Sequence, residues 1–96
     1  MRVRVRVRGA IEVIFRGALN EYLGEVTVAP LTTTIRNIPS EVQLGKNDGL
    51  ITECAVNCDH VQTVPKAKLG GLITTLSPSK LSEVKQAVLF ALGLST

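Results

Sequence analysis

Ninety-six residues, 45% hydrophobic and 20% charged, describe one small folded domain and exclude a disordered chain. No apolar run approaches bilayer-spanning length and no signal-peptide pattern opens the chain, so a cytoplasmic protein without a membrane partner is expected. The net charge of +3 is local: Arg2, Arg4, Arg6 and Arg8 supply four of eleven basic residues, leaving seven basic against eight acidic residues over 9–96.

That arginine stripe suits a polyanion such as RNA, whose condensed counterions it would displace, and equally an edge strand guarded against aggregation. Residues 2–8 alternate strictly, with Val3, Val5 and Val7 on one face and the arginines on the other. Gly9, or Arg8-Gly9, permits a tight reversal into a second strand over Ala10–Phe15. Residues 2–15 therefore read as a hairpin, or as one long strand bent at Gly9. Glu12 is out of place on a buried strand and can pair with an arginine across the hairpin. Arg16-Gly17 is a break, and Ala18–Leu23 reads as one or two helical turns stopped by Gly24.

The chain is organised around Val26–Leu44. A buried-type strand through Val26, Val28 and Leu31, with Ala29-Pro30 between, throws out Thr32, Thr33 and Thr34, and then Arg36. Hydroxyls beside a guanidinium can present donors to a phosphate; threonine is also at home on an exposed strand edge. Pro39 ends the excursion, and Glu41–Leu44 reads as a return strand.

Gly45–Gly49 is a turn-rich loop. Leu50–Asn57 reads as a strand through Ile51, Cys54 and Val56, continued by Asp59–Thr63 and ended by Pro65. On such a strand Cys54 and Cys58 lie roughly 13 Å apart, too far for a disulfide. With His60 they form C-x3-C-x-H, three metal-capable groups without a fourth, so buried free thiols and no metal or cofactor are expected. Lys66–Leu69 reads as a single turn whose lysines are solvated surface, and Gly70-Gly71 opens a strand through Leu72–Leu76.

Ser77 is a good N-cap and Pro78 suits the first helical position. Leu81, Val84, Val88 and Leu92, with Ala91, form one apolar stripe at helical spacing, and Gly93 is a natural stop. Five or six short strands and one closing helix imply a mainly β fold, a small barrel or strongly bent sheet.

Three groups of residues carry a resemblance. They are Val26–Ile35 with Pro39–Leu44, Asn57–Pro65 with Leu69-Gly70, and an ending through Leu76-Ser-Pro78, Glu83-Val84 and Ala91–Leu94. In order and spacing they resemble the MazF/PemK toxin family from about Ile11 to Leu94. The resemblance implies a CcdB/MazF/PemK-like, SH3-like β-barrel with a C-terminal helix. It would be one domain over 1–96, with an atypical strand over 1–9 and the helix over 77–93.

The resemblance further implies a homodimer and a MazE-like cognate antitoxin. It implies a metal-independent endoribonuclease that cuts single-stranded RNA at short motifs. In that family the 2′-hydroxyl of the RNA attacks the adjacent phosphate, leaving a 2′,3′-cyclic phosphate and a 5′-hydroxyl. The family's catalytic threonine falls on Thr32. Its loop arginine has Arg8 as nearest counterpart, with Arg6 and Arg36 behind, because Gly9-Ala10 stands where the family has Arg-Pro. Thr33, Thr34, Arg36, Asp59, His60, Gln62 and Thr63 are the expected RNA contacts; the last four also read as ordinary rim residues. The single histidine excludes a two-histidine acid–base ribonuclease within one subunit. The alternative is a non-hydrolytic module of the same fold that binds antitoxin or RNA, or contacts gyrase.

Overall fold

The structure, a computed structural model, describes residues 2–6, 11–15 and 24–94. The strands are β1 (Arg2–Arg6), β2 (Ile11–Phe15), β3 (Glu25–Thr32), β4 (Glu41–Leu44), β5 (Cys54–Asn57), β6 (Gln62–Pro65) and β7 (Leu69–Thr75). Among the described residues one α-helix, α1 (Pro78–Ala91), follows them. Single 3-10 turns fill Lys46–Asp48, Cys58–His60 and Lys66–Lys68. The mainly β fold with a C-terminal helix is the class expected from the sequence.

Arg2–Arg6 of the arginine–valine alternation form a strand, and β1 pairs antiparallel with β2 from Arg2↔Ile14 to Val5↔Ile11. The hairpin is therefore the correct reading, and the long bent strand is not. The register sets Glu12 opposite Arg4, and Glu12 is 1% exposed. The expected helical turns over 18–23 lie outside the described residues.

Strand β3 is the hub. It pairs with β2 from Glu12↔Pro30 to Phe15↔Thr27. It pairs with β6 through Glu25–Val28 and with β5 through Leu31 and Thr32. Pro30 cannot donate to a ladder, and it falls where β6 gives way to β5. The expected continuous strand from Leu50 to Thr63 is corrected on this point. Only Cys54–Asn57 and Gln62–Pro65 are strands, and the turn at Cys58–His60 carries the chain from one half of β3 to the other. Alternation alone cannot reveal that break, because polar residues recur at alternate places on both sides of it.

Alternation sorts the side chains onto two faces. Val3, Val13 and Ala29 join Val42, Leu44, Cys54, Val56 and Leu76 in the main core, closed by Val84 and Ala87 of α1. Ile14, Val26, Val28 and Val64 form a second cluster with Leu69 against it. The helical stripe is corrected in part. Val84 and Ala87 are buried and Val88 and Ala91 pack against the core, whereas Leu81 and Leu92 are 38% and 62% exposed.

The helix ends follow the sequence. The Ser77 hydroxyl accepts the Lys80 N–H at 3.2 Å, with Pro78 inside the first turn. Gly93, at φ 73°, lets its own N–H reach the Phe90 carbonyl at 3.0 Å and the Leu94 N–H reach that of Leu89 at 2.8 Å. This is a Schellman closure.

Gly49 ends the Lys46–Asp48 turn at φ 91°, and a Cβ there would overlap the Thr74 side chain on β7. Gly49→Ala is expected to cost at least the 1–3 kcal/mol order of a left-handed non-glycine residue, with the overlap added. A lowered urea midpoint at unchanged m-value would report it.

Candidate functional site

Strand β3 leaves the sheet at Thr32. The Thr34 N–H donates to the Thr32 hydroxyl oxygen at 3.1 Å, a local turn that carries the chain off β5. A hydroxyl holds one donor and two acceptor sites, so this contact occupies a lone pair and leaves the Thr32 O–H free to donate. Thr33 and Thr34 are exposed.

Four residues after Thr32, Arg36 folds onto Glu41 of β4. Its backbone N–H reaches Glu41 Oε1 and its Nε–H reaches Oε2, each at 2.8 Å. Asn37 takes up a left-handed backbone at φ 54°, and the Glu41 N–H closes the loop on the Ile38 carbonyl at 3.0 Å. The Glu41 carboxyl is held below the ordinary carboxylate range, first by the Arg36 N–H and then by its guanidinium, against an opposing desolvation.

A carboxyl whose folded pKa is depressed stabilises the fold above its unfolded pKa and loses that contribution as pH falls through the folded value. The stability gap between the parent and Glu41→Gln is therefore expected to hold from pH 7 to about 5 and to close below about pH 4. Thermal melts across that range measure it.

Thr32 and Thr33 lie on the wall of an open cavity of about 630 Å³, with Leu31 beside them. Ile11 of β2, Leu50, Ile51 and Thr52 of the loop before β5, Cys54 of β5 and Ile73 of β7 complete the wall. Ile51 is 89% exposed at this site. The wall is apolar with hydroxyls at its margin, and among the described residues no lining side chain is charged. Such a lining suits a flat ring whose edge needs a few hydrogen bonds.

Cys54 contributes a neutral thiol, its pKa raised by burial and then by the Glu53 and Asp48 carboxylates. Burial, then Asp59, pushes the Cys58 thiol up to about 11. Both cysteines are buried and free. Among the described residues no cluster of three or more His, Cys, Asp or Glu side chains is placed to hold a metal.

The other expected contacts are distributed. Asp59 and His60 are exposed on the 3-10 turn. Asp59 already accepts the Ser40 hydroxyl at 2.5 Å, and its own N–H donates to Asn57 Oδ1 at 3.1 Å. That carboxylate therefore ties the turn to the Pro39-Ser40 corner. Gln62 and Thr63 are exposed on β6, paired with Val28 and Thr27. Gln62 thus sits beside a β3 residue four positions before Thr32, roughly 13 Å along the strand. Lys66 and Lys68 are exposed. Arg8 lies outside the described residues; Ile11, three positions later, lines the cavity with Thr32.

Sequence reasoning missed the apolar wall, because Ile11, Ile51 and Ile73 carry only a core signal until the fold exposes them. It also missed Glu41 as the partner of Arg36. Opposite charges five residues apart across Pro39 were the available hint.

The sequence and the fold have counterparts among known proteins. Residues 11–92 match the family model described as PemK-like, MazF-like toxin of type II toxin-antitoxin system. This chain belongs to that family. Among its curated PemK/MazF-like relatives, Endoribonuclease MazF3 of Mycobacterium tuberculosis is 36% identical over 76 residues, 79% of this chain and 74% of the relative. Endoribonuclease MazF1 of Mycobacterium bovis is 33% identical over 82 residues, 85% of this chain and 76% of the relative.

Solved PemK/MazF-like structures agree. The Mycobacterium tuberculosis toxin MazF-mt6 superposes with a TM-score of 0.89 at 29% identity, over the whole of both chains. A mycobacterial endoribonuclease in complex with its cognate antitoxin matches at 0.85 and 27% identity, covering 99% of this chain and 94% of that one.

Proposed function

We propose that this PemK/MazF-like chain is a toxin-type endoribonuclease that cuts single-stranded RNA beside Thr32. The carrying observation is the Thr32 hydroxyl, pinned by the Thr34 N–H at 3.1 Å and lining a cavity whose described wall is uncharged. The RNA supplies its own nucleophile. Its 2′-oxygen bonds to the adjacent phosphorus and loses its proton, the bond to the 5′-oxygen breaks, and that oxygen takes up a proton. A 2′,3′-cyclic phosphate and a 5′-hydroxyl result, with no metal in the scheme.

Charge builds on the phosphate oxygens as the fifth bond forms, so a fixed donor is worth most at that moment. The Thr32 O–H donates to one such oxygen, and Arg8 is the candidate guanidinium for another. A base next to the scissile phosphate is held against Leu31, Ile51 and Ile73, as readers of splayed single strands require. Thr33, Thr34 and Arg36 extend the RNA contact along the loop, and His60 on the 3-10 turn with Gln62 and Thr63 on β6 extend it further; Asp59 contributes through its oxygen not taken by Ser40.

The partners that follow are a cognate antitoxin, as in the solved mycobacterial complex, and a second copy of this chain. No described helix is long and apolar enough to cross a membrane, and we place the toxin in the cytoplasm. The whole of 1–96 acts as one domain in this reading. Relatives named as endoribonucleases favour RNA cleavage over a binding-only module. Incubation with a long single-stranded RNA in chelator tests the reading. Discrete fragments bearing cyclic phosphate ends are expected; intact RNA at high protein concentration overturns it.

A further inference from the structure

Arg36 is the residue of the Thr32–Ile38 loop with a charge, and it does not line the cavity that Thr32 lines. Three residues lie between the two, so their Cα atoms stand at most about 14 Å apart. The arginine is not free to sweep that space. Glu41, whose side chain is 2% exposed, takes both the backbone N–H and the Nε–H of Arg36, while the Arg36 side chain is 47% exposed. A guanidinium has five N–H donors in one plane. With Nε–H fixed on Glu41, the two terminal nitrogens keep four N–H groups, which have no partner among the described residues, and two of these point side by side along the edge away from Nε. That edge is the fork that matches two oxygens of a phosphate.

We propose that Glu41 is a positioning residue that converts Arg36 into a subsite for a backbone phosphate flanking the scissile one. The carboxylate is rooted in β4, whose Glu41 pairs with Asn57 of β5, so the guanidinium inherits the rigidity of the sheet. The entropy of ordering a long side chain is spent on folding and not on binding. This inference rests on the endoribonuclease reading, and it has a sign that plain electrostatics does not. Removing an acidic group near an RNA path raises affinity if only net charge matters. Removing Glu41 lowers it if the carboxylate aims the fork.

Equilibrium binding of a fluorescent single-stranded RNA decides between them, measured over a range of salt in a Thr32→Ala background so that the probe stays intact. Glu41→Gln and Arg36→Ala are each expected to weaken binding roughly three- to tenfold. Each should lower the salt slope by about 0.7, the loss of one single-strand phosphate contact. The double variant should bind no worse than Arg36→Ala alone. Arg36→Lys keeps the charge, sits on an exposed loop, and is expected to bind like Arg36→Ala; it keeps the test alive if Glu41→Gln folds poorly.

Unchanged or tighter binding by Glu41→Gln, or parental binding by Arg36→Lys, overturns the proposal. A cleavage assay on the Thr32-containing protein separates the two readings. If the parent cuts RNA while Glu41→Gln and Arg36→Lys leave KM unchanged, the subsite falls and the nuclease stands. If the parent neither binds nor cuts RNA, both fall.

Discussion

Thr32→Ala is expected to slow cleavage of single-stranded RNA by about 10²–10³-fold, the cost of removing one fixed donor from a centre where anionic charge builds. The loss should appear mainly in kcat, since the hydroxyl acts on charge that develops after binding. Thr32→Ser should recover most of the rate, because it restores an O–H that can still accept the Thr34 N–H. Folding should be little disturbed, because the Thr34 N–H lies in an exposed segment where water replaces the lost acceptor. Initial rates on a labelled RNA, with a thermal melt of each variant, test the claim. A Thr32→Ala protein that cuts within about threefold of the parent would sink the assignment of the hydroxyl.

Leu44→Ala is expected to cost about 2–5 kcal/mol, a large part of the 5–15 kcal/mol that holds a domain of this size. Leu44 is 1% exposed and sits in the main core with Val42, Cys54 and Val84. It also closes β4, through Leu44↔Cys54, at the far end from Glu41. At about 4–8 °C per kcal/mol, the melting temperature should fall by at least about 8 °C. Leu81→Ala removes the same side chain from a helix face that is 38% exposed and should move it far less. Calorimetry on the two variants gives the comparison, and equal shifts would contradict the division of the helix into a packed and an open side.

The two expectations differ in how far they could be read without coordinates. Thr32 was legible, because a strand of buried type that runs into three hydroxyls is a local pattern, and the position matched a family motif. Leu44 was legible as a strand residue by alternation, but its place in the main core depends on what packs against it. The first two strands, the Lys66–Lys68 turn and the Ser77–Gly93 helix were likewise written locally, through period-two alternation, a hydroxyl cap before proline, and a glycine able to turn left-handed. Each of these signals acts within a few residues of itself.

What the sequence by itself determined about this protein is therefore most of its elements, its class and Thr32 as the candidate donor, since backbone preference and side-chain periodicity are short-range. Tertiary structure alone decided the break at Cys58–His60, because β5 and β6 share one edge of β3 on either side of Pro30. It alone assembled the cavity, whose wall comes from β2, β3, β5, β7 and the loop before β5. It alone turned Arg36 from a solvated loop residue into one clamped by Glu41. Those three results depend on which distant segments meet. Burial and pairing set that, and no local spacing encodes it.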